Sequence, residues 1–344
     1  MLGLPIPGTA TPAVDERGRT LRDLRISITD RCNFRCRYCM PREQFGADHA
    51  FLARSALLDF DEIVHIATAA VTLGVRKVRL TGGEPLMRPG VVDLVSKLAA
   101  IPGLDLAMTT NGVLLPRFAH ALAAAGLRRV TVSLDSTDDV TFGRMSDTRH
   151  TVDDVLEGIG AAQSAGLGPV KINTVIKRGV NDADIPHLAA RFKGSGHIVR
   201  FIEYMDVGTT NGWNRTEVMP AQEIFNSIDR MAPLDPVPPS YSGEVASRYR
   251  YRDGTGEVGI ISSVSDPFCG SCTRARLSAE GTLYTCLFAS SGLDLRSILR
   301  GPRTTGDLVD AIDNTWSGRV DRYSELRGQH ENTDPKIEMS YIGG

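Results

Sequence analysis

The chain has 344 residues, 42% of them hydrophobic, and a formal net charge of -2. That length suits one barrel-sized α/β domain with an appendage, or two ordinary domains, and no apolar run approaches the roughly 20 residues of a membrane span. With charge near balance, no global field gathers nucleic acid or anionic lipid, so a polyanion would have to meet a local set of Lys and Arg.

The stretch from Met1 to Arg19 holds Pro5, Pro7 and Pro12 and lacks the charged start and apolar segment of a secretory signal. It reads as a flexible lead-in, residues 1–20, to a cytoplasmic protein. Short β-rich runs then alternate with helical patterns. Strands are expected at Leu24–Thr29, Lys77–Thr81, Leu106–Thr110, Arg129–Asp135, Val170–Ile176 and His197–Met205. Helices are expected near Asp61–Leu73, Gly90–Ala100, Leu115–Ala125, Val152–Ala165, Asp182–Phe192 and Ala221–Met231. In the first of these, Ile63, Ile66, Ala67 and Ala70 share a face. Six strand–helix units predict a parallel sheet with right-handed crossovers, two units short of a closed eight-fold barrel. The expected fold class is therefore α/β, an open, partial six-unit βα barrel of TIM type over residues 21–232.

Polar or Gly-rich residues follow nearly every strand, among them Thr81-Gly82-Gly83-Glu84, Thr109-Thr110-Asn111-Gly112 and Asp135-Ser136. In parallel α/β architectures, sites form at the carboxyl ends of strands, so these clusters would share one face. The segment Met231–Ser240 carries Pro233, Pro236, Pro238 and Pro239 and reads as a linker. Strand-like stretches follow at Val258–Ser262 and Thr282–Phe288. A smaller C-terminal domain is expected over 233–328, then a tail over 329–344 that ends in Gly343-Gly344.

All six cysteines fall in two triplets, Cys32, Cys36, Cys39 and Cys269, Cys272, Cys286. A disulfide framework is a poor reading for a large chain without an export signal. Three thiolates on a compact loop can hold three irons of a [4Fe–4S] cube and leave the fourth open to a small molecule. A zinc knuckle is the alternative, but zinc usually takes four ligands in Cys pairs or with His, and the nearest His in sequence is His49. The second triplet also supplies three ligands, so a second open iron could take substrate directly; a structural site with its fourth ligand elsewhere is the alternative. Arg274 and Arg276 follow Cys272, and alternation puts both on one side of an extended segment. Guanidinium groups there can bond phosphate or polar base edges.

Cys32-x3-Cys36-x2-Cys39, with Tyr38 before the last Cys, resembles the signature of the radical S-adenosylmethionine (SAM) family, and Thr81-Gly82-Gly83-Glu84-Pro85 resembles that family's glycine-rich SAM-binding motif. The resemblance implies SAM as cofactor and an adenosyl radical as reagent. Both triplets, the Arg274-x-Arg276 pair and the Gly343-Gly344 end are similar to the GTP-cyclising radical SAM family of molybdenum-cofactor biosynthesis, from about residue 20 to the end. That implies two [4Fe–4S] clusters, GTP as substrate, a reducing donor protein, and functional coupling to a cyclic pyranopterin monophosphate synthase. Monomer and homodimer are both compatible with it.

By resemblance, Tyr38, Gly83, Ser133 and Met205 match SAM positions; Arg25, Arg79, Thr110, Lys171, Arg274 and Arg276 match GTP positions, with Lys77 and Arg200 as further candidates. Five of these cations, Arg25, Lys77, Arg79, Lys171 and Arg200, sit on strands, where inward positions of a parallel barrel are mostly branched and apolar. The resemblance makes Arg274, Arg276, Gly343 and Gly344 catalytic, the two glycines entering the active site as bare backbone. Two rivals stand beside this reading: a peptide-modifying radical SAM maturase, and a zinc-stabilised binding protein.

Overall fold

Alternation sets the first strands. In Asp23–Ser27 (β1), Leu24 and Ile26 are buried and Asp23 and Arg25 take the other face; Lys77–Thr81 (β2) repeats this with Val78 and Leu80 buried. The computed structural model describes residues 12–241, 243–302, 304–327 and 335–343. Strands β3 (Asp105–Thr110), β4 (Arg129–Ser133), β5 (Lys171–Ile176) and β6 (Ile198–Glu203) follow, then β7 (Leu234–Val237), β8 (Ser247–Tyr251), β9 (Glu257–Ile261), β10 (Arg274–Leu277), β11 (Thr282–Tyr284) and β12 (Leu293–Asp294).

Helices return the chain between parallel strands: α1 (Phe60–Thr72), α2 (Val91–Ala99), α3 (Leu115–Ala124), α4 (Asp139–Ser146), α5 (Val152–Ser164), α6 (Ile185–Phe192) and α7 (Ala221–Met231). The first begins at Asp59, whose side chain accepts from the Glu62 amide while Glu62 reaches back to the Asp59 amide, a capping box that satisfies two orphan donors. Its face of Ile63, Ile66, Ala67 and Ala70 packs into the main core with the apolar residues of β1 and β2.

The sheet runs β12-β11-β10-β1-β2-β3-β4-β5-β6-β9-β8-β7. Strands β1 to β6 stand in chain order and pair in parallel. The C-terminal region adds one parallel strand at each flank, β10 beside β1 and β9 beside β6. The α/β class and open order expected from the sequence are what the chain adopts, but the smaller C-terminal unit builds no sheet of its own: its strands extend both sides of the first.

Two local expectations are corrected. The proline-rich linker contains β7, with Pro236 inside it; the strand is at the sheet edge, where a missing amide donor is tolerated. Residues 12–20 of the expected flexible lead-in are packed: Val14 bridges Thr20, and Asp15 and Arg19 are buried. Helices α8 (Leu295–Arg300), α9 (Thr305–Ser317), α10 (Tyr323–Leu326) and α11 (Met339–Ile342) close the chain. Among the described residues no helix is long and apolar enough to cross a membrane.

Candidate active site

The first cysteine loop leaves β1 and is held by its own backbone. The Cys39 and Met40 amides both donate to the Cys36 carbonyl, at 2.9 and 2.8 Å, and the Phe34 amide donates to Cys32 Sγ at 3.4 Å. Arg35, interleaved with the cysteines, donates to the carbonyls of Cys32 and Phe34 at 2.8 Å each and of Phe45 at 2.7 Å. Tyr38 donates its hydroxyl to Asp135 at the end of β4, 2.8 Å away.

The glycine turn after β2 packs onto this loop. The Gly83 amide donates to Thr29 O at 2.7 Å and the Glu84 amide to Arg31 O at 2.8 Å. A Cβ on Gly83 would overlap Arg31 O. The glycine thus serves contact between two backbones as well as any approach of ligand. Glu84 stitches the turns after β2 and β3, accepting from Leu86 N, Thr110 Oγ1 and Asn111 N at 3.0, 2.8 and 2.8 Å. Burial raises its carboxyl to about 7.

All six cysteines are free thiols and line one open cavity. Arg25, Tyr38, Gly83, Thr110, Ser133, Arg200, Met205, Arg274 and Arg276 line the same cavity. A second, smaller cavity adjoins through Arg200 and takes Lys77, Arg79 and Lys171. Gly343 reaches the first site from α11, its carbonyl accepting from Arg276 Nη1. Gly344 lies outside the described residues.

Burial pushes Cys32, Cys39 and Cys286 up to about 12, and Cys36 well above the usual thiol value. Burial also acts on Cys272, but Arg274, 3.3 Å from its sulfur, and then Arg319 bring it down to about 7. Buried thiolates are stable when a metal supplies positive charge, so these donors fit iron–sulfur ligation. Among the described residues no three His, Cys, Asp or Glu side chains converge tightly enough to hold a single metal ion.

The cations are packed against one another. Arg276, Arg25 and Arg79 lie abreast on three adjacent parallel strands, and Arg274, Asp23 and Lys77 form the next row. Like charges side by side destabilise a sheet, so this arrangement calls for an anion of several charges. Burial, then Arg274, lowers Arg25 to about 9; burial, then other cations, lowers Lys77 and Lys171 to about 8.

Thr110 is on the wall, but its hydroxyl is engaged with Glu84. Sequence reasoning missed Asn173, which lines the cavity and whose buried Oδ1 has no hydrogen-bond partner among the described residues. Its signal was present: Lys171 and Asn173 share a face of β5 while Ile172 and Thr174 are buried on the other. Arg129, Tyr241 and Glu244 of the smaller cavity were missed as well; the latter two reach it from the loop between β7 and β8.

An α/β sheet carrying an open thiolate trio after its first strand and a glycine turn after its second defines a radical SAM enzyme. Residues 26–192 match the radical SAM superfamily, and 197–325 match the family described as Molybdenum Cofactor Synthesis C. The chain is 55% identical over 359 residues to a GTP 3′,8-cyclase of Acidothermus cellulolyticus, covering 97% of this chain and 99% of that protein. It is 48% identical over 337 residues to one of Xanthomonas campestris pv. campestris, covering 98% of each. The chain belongs to the GTP 3′,8-cyclase family. Its fold is also like that of Streptococcus suis SuiB in a crystal structure with the precursor peptide SuiA, with TM-score 0.61, 12% identity, and 91% of this chain and 68% of that chain covered. That likeness shows the fold alone.

Proposed function

We propose that the chain converts GTP to (8S)-3′,8-cyclo-7,8-dihydroguanosine 5′-triphosphate, the first step of molybdenum-cofactor biosynthesis, while SAM is cleaved to methionine and 5′-deoxyadenosine. One observation carries this reading: both thiolate trios line one cavity whose walls also hold Arg25, Arg274 and Arg276. When bound, a [4Fe–4S] cluster held by Cys32, Cys36 and Cys39 would supply, with SAM, the adenosyl radical, and a second cluster held by Cys269, Cys272 and Cys286 would supply an open iron for the substrate.

The residues set the geometry. Tyr38, Gly83, Ser133 and Met205 form the SAM side, and the Met205 thioether suits an adenine face. Lys77, Arg79, Lys171 and Arg200, which line the adjoining smaller cavity, hold the phosphates. Arg25, Arg274 and Arg276 line the larger cavity, and Gly343 orients Arg276 through its carbonyl. The reading also includes a cytoplasmic setting, a reducing donor protein, and a cyclic pyranopterin monophosphate synthase that consumes the product. Anaerobic incubation of the reconstituted chain with SAM, reductant and GTP tests it; the cyclised nucleotide is expected, and SAM turnover that leaves all GTP intact would refute it.

Lys77 and Lys171, at about 8 in the free protein, lose their protons as pH rises through that value. Their folded values are lowered, so the folded chain binds fewer protons than the unfolded one between about 8 and 10.4, and their contribution to stability rises with pH there. Phosphate must restore those protons. GTP affinity should fall about tenfold per lysine from about pH 7 to about pH 9. Binding should also take up protons, measurable by calorimetry in buffers of different ionisation heat. Affinity that is flat or rises would contradict the assignment.

Gly83→Val should push Arg31 and the adjoining Cys32 backbone away. Iron binding by the first trio should weaken about 10- to 100-fold while the second trio keeps its iron. Iron analysis and single-turnover SAM cleavage check this, and parent-like values for both would be the contrary result.

A further inference from the structure

A buried charge cluster lies behind the second thiolate trio, with Arg319 and Asp321 reaching the cavity wall and Arg19 and Asp15 packed deeper. Arg19, in the packed N-terminal segment, donates from Nη1 to Cys269 O at 2.9 Å and to Asp321 O at 2.7 Å. Arg319, just after α9, donates from Nη1 to Cys272 O at 2.8 Å. The side chains of both are 2% exposed. Asp15 joins them, 2.6 Å from Arg19 Nε and 3.4 Å from Arg319 Nη1. Arg319 lies over the Trp316 ring at 4.5 Å, and Trp316 donates Nε1 to Arg19 O at 3.0 Å. The third cysteine is reached through its neighbour: Thr285 donates to Asp321 Oδ2 at 2.5 Å, and Arg319 Nε donates to the same oxygen at 3.3 Å.

We propose that Arg19 and Arg319 are positioning residues that hold the Cys269–Cys272 loop by its backbone and raise the reduction potential of the cluster on that trio. The inference rests on the reading that this trio carries a cluster. Arg19 and Arg319 share the fully buried carboxylate of Asp15, and Arg319 also meets the partly exposed Asp321. With Arg274 at the Cys272 sulfur, three cations face these two carboxylates, and the excess positive charge lies beside Cys272. Positive charge and oriented donors beside cluster thiolates stabilise the reduced, more negative form. Arg19 Nη2 is buried with no partner among the described residues, a donor available to an acceptor that the site gains on loading.

The first trio has a different environment. Arg35 donates to Cys32 O, but the buried carboxyls of Glu84 and Asp135 lie on the same cavity wall as that trio. A guanidinium pair that only pinned the N-terminal segment would leave the potential of the second cluster unchanged. The same pair acting as a field source moves that potential and leaves the first alone.

The test uses the full chain with Cys32, Cys36 and Cys39 replaced by Ala, so that the second cluster is titrated alone by EPR. In that background Arg319→Gln should lower the midpoint potential and speed iron loss to a chelator by about tenfold or more. Arg319→Lys, which keeps the charge and loses the fork, should hold the potential near that of the parent and still shed iron faster. Parent values of potential and iron retention in Arg319→Gln would overturn the proposal. If that variant does not fold, a folded Arg319→Lys with unchanged iron loss would overturn it. Retention of about four irons instead of about eight by the unaltered chain would overturn the two-cluster reading instead.

Discussion

Gly343→Ala is expected to lower cyclisation about 10²- to 10³-fold, the scale of losing one positioned donor, while both trios keep their iron. Gly343 has φ +74, a left-handed conformation that alanine resists, and its added carbon would overlap Thr81 Oγ1. The tail cannot slide to relieve this. Glu338 is held by Thr209 N, Thr209 Oγ1 and Thr210 Oγ1 at 2.8, 2.9 and 2.8 Å, and Lys336 Nζ donates to Asp206 Oδ2 at 2.8 Å. The strain therefore falls on the carbonyl that Arg276 holds. Arg276 is buried beside Arg25 and Arg274, and its pKa is driven down first by burial and then by those two neighbours. Freed from Gly343, it would swing away from its neighbours. SAM cleavage should continue without product, so the ratio of 5′-deoxyadenosine to cyclised nucleotide should rise steeply. A Gly343→Ala chain with parent-like coupling would show that the tail has no part in catalysis.

The second large effect separates the two trios. Cys36→Ala should reduce SAM cleavage by about 10³-fold or more, because removing one of three ligands leaves too few to hold the cube that chelates SAM. Cys272→Ala should instead weaken GTP binding about 10- to 100-fold and remove most product, with some uncoupled SAM cleavage left. The distinction follows from position: Cys36 is on the loop after β1 against the Gly83 turn, whereas Cys272 lies two residues before Arg274, the first residue of β10. SAM cleavage and GTP binding measured on both variants check this. Equal loss of SAM cleavage with GTP binding intact in both would contradict the division of labour.

Much of this was legible in the chain. Strands buried on one face and carrying Arg or Lys on the other announce themselves by alternation, as Leu24, Arg25 and Ile26 do, and the cysteine spacings carry their chemistry locally. Other features depend on contacts distant in sequence. Asp15 and Arg319 meet across 304 positions, so the N-terminal segment looked free when it is buried. The strand containing Pro236 reads as a linker until the sheet edge beside it is known. Helix α4 was missed because Phe142, Met145 and Ser146 are its only buried residues, too few to set a period. Asn173 is one polar residue among apolar neighbours, and only the cavity around it gives it meaning. The role of Gly83 was seen in part, since the carbonyl of Arg31 that excludes a side chain there belongs to a different loop.

The central claim is that one cavity brings SAM's 5′ carbon to the ribose of a GTP held by the second trio and the cationic strands. Incubation with GTP carrying deuterium at the 3′ carbon tests it most directly. The account predicts deuterium in the 5′-deoxyadenosine and its loss from the cyclised product. Unlabelled 5′-deoxyadenosine, with deuterium retained in the nucleotide, would contradict it.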